Sequence, residues 1–126
     1  MSKEYLHIKD IEIPIYRGRL VIIITNSVNK LQKYLPDFKQ SKVYAHAWMD
    51  NYKGKAGHFM VLNFDNKNNG ITHGCVTHEA IHLANFLADF RGFKPDFNND
   101  EPICYLAEWI VDQTYKFINE KKFKVQ

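Results

Sequence analysis

The residues best able to do chemistry in this chain lie in one string, Thr77-His78-Glu79-Ala80-Ile81-His82. His78 and His82 are four positions apart, so a helix of 3.6 residues per turn stacks them on one face. Two imidazoles so placed can bind one tetrahedral metal ion, usually zinc, through ring nitrogens about 2.0–2.1 Å from it. Glu79 is rotated off that edge, where its carboxylate can take a proton from metal-activated water. A surface helix with two solvated histidines would carry the same string, so the surrounding sequence has to decide.

A catalytic zinc ion keeps three protein ligands and one open position. The third ligand must therefore come from elsewhere. Glu101 follows His82 after the 18 residues 83–100 and opens the next helical segment. Glu101, Tyr105, Glu108 and Asp112 recur at i, i+4, i+7 and i+11, a polar stripe along that helix. Glu108, one heptad along, is the rival third ligand. Cys75, one turn before His78, would close the shell into a structural Cys-His-His-Glu site. Free cysteines are more often small buried hydrophobes, the use expected for Cys104. His46 and His58 fall in strand patterns as ordinary sheet residues, His73 reads as a solvated helix-start residue, and Trp48 and Trp109 read as packing residues.

The elements that must position these residues follow from periodicity. Ile11 to Tyr16 alternates, and Pro14 makes it an edge strand. Leu20 to Thr25 is β-branched and continuously apolar, a central strand. Asn26 or Ser27 caps a short helix that stops before Pro36. Lys42 to Met49 and His58 to Phe64 form a hairpin joined by the polar segment 50–57. Asp65 to Gly70 is turn chemistry, and Thr72 caps a motif helix running to about Phe90, with Gly92 just past its end. On that helix His78, His82, Asn85 and Asp89 share one polar arc. Val76, Leu83, Phe86, Leu87 and Phe90 form an adjoining apolar stripe, which puts the histidines at the border of the core. Asn99 or Asp100 caps the last helix, with Pro102 in its first turn.

The whole pattern resembles a known group. His78-Glu79-x-x-His82 is the HExxH signature of zinc metallopeptidases. With Glu101 after 18 residues it resembles the gluzincins, thermolysin-like peptidases and zinc aminopeptidases whose third ligand is a glutamate in the following helix. Glu101-Pro102-Ile103-Cys104-Tyr105-Leu106 also resembles small phage and prophage proteins that carry HExxH followed by Glu-Pro-x-Ala-Tyr-Leu. The resemblance covers roughly residues 58–112. It implies zinc on His78, His82 and Glu101, with Glu79 as general base. It also implies extended substrate added to the strand before the motif helix, His58 to Phe64. Many gluzincins place an aspartate four residues after the ligand glutamate; here Tyr105 stands there, with a hydroxyl able to polarise a substrate carbonyl. Asp89 or Glu108 would then take the aspartate's place in orienting a ligand histidine.

Composition sets the frame. The 126 residues, 45% hydrophobic and 25% charged, suit one globular domain spanning 1–126 and argue against disorder. Part of the net charge of +3 sits in Lys121-Lys122-Phe123-Lys124, which reads as a solvated end rather than a nucleic-acid patch. No signal-peptide pattern opens the chain, and Leu20 to Ile24 is too short to cross a bilayer. With only two cysteines, a reducing cytoplasm of the producing or host cell is expected. The expected architecture is α+β: a small antiparallel or mixed sheet packed on the HExxH helix and a C-terminal helix, a minimal zincin-like fold. The expected activity is zinc-dependent hydrolysis of a peptide or protein. The alternative is a catalytically silent, metal-stabilised binding module or a structural component of a phage particle.

Overall fold

The run from Leu20 to Thr25 has no polar side to offer water, and the fold buries all of it. The structure is a computed structural model that describes residues 3–38, 45–64 and 71–126. Its elements are β1 (Leu6–Glu12), β2 (Arg19–Thr25), α1 (Val28–Tyr34), β3 (Ala45–Tyr52), β4 (Lys55–Asn63), α2 (His73–Arg91) and α3 (Glu101–Glu120). The strands make one mixed sheet in the order β1-β2-β4-β3. β1 runs antiparallel to β2, β2 parallel to β4, and β3 antiparallel to β4. The fold is therefore α+β.

Alternation along the inner strands builds two cores. Leu20, Ile22, Ile24, Met60 and Leu62 face α2 and α3, whereas Val21, Ile23, Phe59 and Val61 pack with Leu31 of α1 on the opposite face. The β3–β4 hairpin is tighter than its sequence suggests. The strands continue through most of 50–57 and leave a two-residue turn at Lys53-Gly54, with φ of 53° and 82°, the twist that antiparallel strands favour.

Two strand expectations need correction. The edge strand lies upstream of Ile11–Tyr16, at Leu6–Glu12, because Pro14 cannot donate to a ladder. Pro14 falls instead in a turn closed by Ile13 N–H to Gly18 O at 3.0 Å and Arg17 N–H to Ile13 O at 3.1 Å. The strand before the motif helix also cannot take up an extended substrate. β4 is interior, with β2 bonded on one side and β3 on the other. The expected Asp65–Gly70 turn and the start of the strand expected at Lys42 lie outside the described residues.

The caps of α2 match the sequence. The Thr72 hydroxyl accepts from the Cys75 N–H at 3.0 Å, and Gly92 takes a left-handed conformation, φ 80°, at the other end. α2 buries Val76, Ala80, Leu83, Ala84, Leu87 and Ala88 and packs mainly on β3, β4 and α3. Three alanines on that face let the helix axis come close to the sheet, where Ala47 of β3 is also buried. α3 buries Leu106, Ile110, Thr114, Phe117 and Ile118, and the Thr114 hydroxyl is satisfied by donating to Ile110 O at 2.7 Å. Among the described residues no helix is long and apolar enough to cross a membrane.

His58 is not the ordinary strand residue expected. It is 1% exposed, and neither ring nitrogen has a hydrogen-bond partner among the described residues. Burial pushes its pKa down to about 4, and the positive charge of Arg91 acts in the same direction. The unfolded chain protonates this imidazole near 6.5 and the folded chain only near 4. Stability is therefore full above about pH 6.5 and is lost as pH falls toward 4. Urea midpoints should drop between pH 7 and pH 5, and His58→Leu should flatten that dependence; an unchanged slope in the variant would refute the assignment. Ala84→Leu tests the close approach of α2: forcing a larger side chain under the helix should cost about 1–3 kcal/mol by chemical denaturation.

Candidate metal centre

The α2 backbone brings His78 and His82 together as their spacing requires. Their Nε2 atoms are 3.1 Å apart, and the rings meet edge to face with centroids 4.7 Å apart. Two nitrogens each about 2.05 Å from a common ion and separated by 3.1 Å subtend about 98° at it, within reach of a tetrahedral centre. That spacing is compatible with one zinc ion, and equally with the hydrogen bond the two rings share. His82 is steadied from behind by Phe86, whose ring stacks at 5.9 Å and 14°. Glu79, half-buried, lies on the flank of the helix next to His78.

The pair does not border the core. Ala80 marks the centre of the buried face, and His78 and His82 sit about 160° from it on either side. Both histidines, with Asn85 and Asp89 of the same arc, are exposed. The expected apolar stripe omitted Ala80, Ala84 and Ala88, which rotate the true buried face away from Phe90, itself 50% exposed. The metal centre this arrangement can form is open to solvent.

The carboxylates of α3 divide by height. His73 Nδ1 lies 2.6 Å from Tyr115 Oη and the rings stack, so α3 runs back antiparallel along α2. At about 1.5 Å per residue, that register sets Glu108 at the height of Ala80 and Glu101 about 10 Å further along. Glu108 lies on the flank marked by Tyr115, however, which meets the Ala80 side of α2 and not the far side that carries His78 and His82. Glu101 and Tyr105 instead share an apolar groove of about 580 Å³ with Ile15, Tyr16, Pro102 and Trp109. Tyr105 is about 80° round α3 from the flank Tyr115 marks, and is 65% exposed. Among the described residues no group of three or more His, Cys, Asp or Glu is assembled to hold a metal ion. The structure thus joins His78 to His82, and Glu101 to Tyr105, without joining the two pairs.

Other side chains depart from expectation. Cys104, expected in the core, is exposed on α3. Desolvation by its immediate neighbours, then the charges of Asp100 and Glu101, raises its thiol pKa. Cys75 is half-buried on α2. His73 is anchored by Tyr115 rather than simply solvated, and the tyrosine pKa is raised by burial. The i, i+4 logic used for His78 and His82 could not have found the His73–Tyr115 contact, since it spans 42 residues.

Metal content per chain checks the ligands. After zinc loading, His78→Ala and His82→Ala should each empty the site. Glu101→Ala and Glu108→Ala should each leave zinc content unchanged; loss of zinc in Glu101→Ala would restore the ligand implied by the family resemblance.

No protein-family model, curated protein or solved structure matches this chain.

Proposed function

We propose that the protein is a zinc-dependent peptidase or related hydrolase working on an open helix face. The observation that carries this reading is the His78–His82 pair, its Nε2 atoms turned toward each other at 3.1 Å with Glu79 on the adjacent flank. His78 and His82 would hold the ion, with no third His, Cys, Asp or Glu assembled beside them among the described residues. Bound there, zinc supplies Lewis-acid polarisation of a carbonyl and acidifies water.

The chain's own residues supply the rest. Glu79 accepts the proton of the attacking water and passes it to the leaving amine. Its half-buried position beside solvent suits a base that must exchange that proton. β3 is the sheet edge on the α2 side, with no strand bonded beyond it among the described residues. Its backbone N–H and C=O groups can take up an extended peptide along the sheet edge, the role that interior β4 cannot fill. The groove holding Glu101 and Tyr105 is apolar in most of its lining and suits a hydrophobic substrate side chain. Tyr105 then contacts substrate from the groove wall, its hydroxyl available to a substrate carbonyl. The exposed thiol of Cys104 suits a reducing cytoplasm as the working compartment.

Glu79→Gln separates chemistry from binding. The amide keeps size and shape but is not a base, so zinc content should stay at wild-type level while peptide hydrolysis falls about 100- to 10,000-fold. Retained hydrolysis in a zinc-loaded Glu79→Gln protein would end the peptidase reading. Zinc binding without hydrolysis of any peptide by the wild type would point instead to a metal-stabilised binding module.

A further inference from the structure

A second site lies at the C-terminal end of α2, about 13 Å along the helix from His82 at 1.5 Å per residue. Arg17, Gly18 and Arg19 from the β1–β2 turn, Lys55 and Ala56 from the start of β4, and Phe90 and Arg91 from the end of α2 enclose a cavity of about 320 Å³. Four cations line it, against one lining carboxylate, Glu12. Arg19 is engaged by Asp10, donating to its carboxylate and to its backbone oxygen. Arg17, Lys55 and Arg91 make no ion pair among the described residues. Counting Glu12 and Asp10, the cavity keeps two positive charges out of the +3 of the whole chain.

An independent observation points to a ligand. The buried, unpartnered His58 ring lies directly behind Gly18: a Cβ there would stand 3.6 Å from its Nε2 and Cδ2. Gly18, left-handed at φ 87°, is the lining residue that stands next to this imidazole. Unpaired buried polar atoms in a native protein call for an explanation, an ion or water among them. A cluster of cations only half offset by carboxylates, beside an unsatisfied buried histidine, is an arrangement that an anion completes.

We propose that this cavity is a binding site for a phosphate-class dianion, either inorganic phosphate or the terminal group of a phosphomonoester. Arg17 and Arg91 offer planar donor forks matched to such oxygens, and Lys55 adds a point charge. The cavity volume suits one phosphoryl group with its first waters rather than a polymer backbone. An anion seated there also offsets the positive field at His58, so its imidazole takes up a proton more readily. The charge that acts on that ring is Arg91.

The test is an NMR titration of the full chain with sodium phosphate and, in a second arm, with phosphoserine, at constant ionic strength set by chloride. Saturable shifts are expected at Gly18, Ala56 and Arg91 amides, together with an upward move of the His58 titration from about 4. Arg91→Gln and Arg17→Gln should each weaken binding at least tenfold while leaving zinc content unchanged. Saturation by phosphoserine as well as phosphate would identify a phosphorylated molecule as the ligand; saturation by phosphate alone would identify the free ion. Shifts that do not saturate, or that chloride reproduces, or that survive both arginine substitutions with a still His58, would overturn the proposal.

Discussion

The close seating of α2 on the sheet is the constraint from which the rest of the site follows. Ala80, Ala84 and Ala88, with Val76, Leu83 and Leu87 between them, are fully buried against β3 and β4. Short side chains bring the helix axis near the sheet, and a helix has only one face to bury. Histidines at 78 and 82 are then carried to the far side whatever their own preferences. Thr72 and Gly92 fix where the helix starts and stops, which sets how far the pair stands from each end of the seam with α3. An interior imidazole pair would lose hydration and need partners of its own; the outward pair meets neither cost. Openness to solvent is thus a consequence of core packing.

That geometry changes what the two helices can do together. The His73–Tyr115 contact pins the α2–α3 register at one end, and every residue of α3 inherits its height from it. Glu108 inherits the level of the histidine turn, whereas Glu101 inherits the mouth of the groove against the β1–β2 turn. Tyr16 stacking on Phe93 at 5.3 Å closes the same groove from the loop that follows α2. The histidine pair and the apolar groove then fall on separate surfaces.

What was legible in the sequence was local. The Thr72 and Ser27 caps, the Gly92 stop, the burial of Leu20 to Ile24 and the i, i+4 pairing of the histidines are all set within one or two turns of chain. What was not legible depends on contacts between distant segments. The parallel β2–β4 pairing makes β4 interior, and nothing within His58–Phe64 announces which neighbour it has. The facing of α2 was misread because alanine is weakly apolar by composition yet decisive by size. The height of Glu101 depends on the path of residues 92–100, whose length permits several registers. His58 was passed over since an isolated histidine in an apolar strand gives no sign of being buried without a partner.

The middle of α2 presents the histidine pair and its C-terminal end a cationic cluster, and the helix itself favours the second placement. Its C-terminal end bears partial negative charge, which favours the Arg91 side chain there and holds one wall of the cationic cavity in place. The cavity lies against the interior end of β4, where Gly18 and Ala56 approach so closely that a Cβ on Gly18 would stand 3.0 Å from the Ala56 carbonyl oxygen. Any side chain at 18 would have to displace that backbone, and a left-handed φ would strain it further. The tight β1–β2 turn is therefore constrained twice, by conformation and by space. Pro14 stops β1 just before this turn, and the turn then delivers Arg17 and Arg19 to the end of α2. The same turn supplies Ile15 and Tyr16 to the apolar groove, so one short loop that the sequence presented as an edge strand shapes two of the molecule's surfaces.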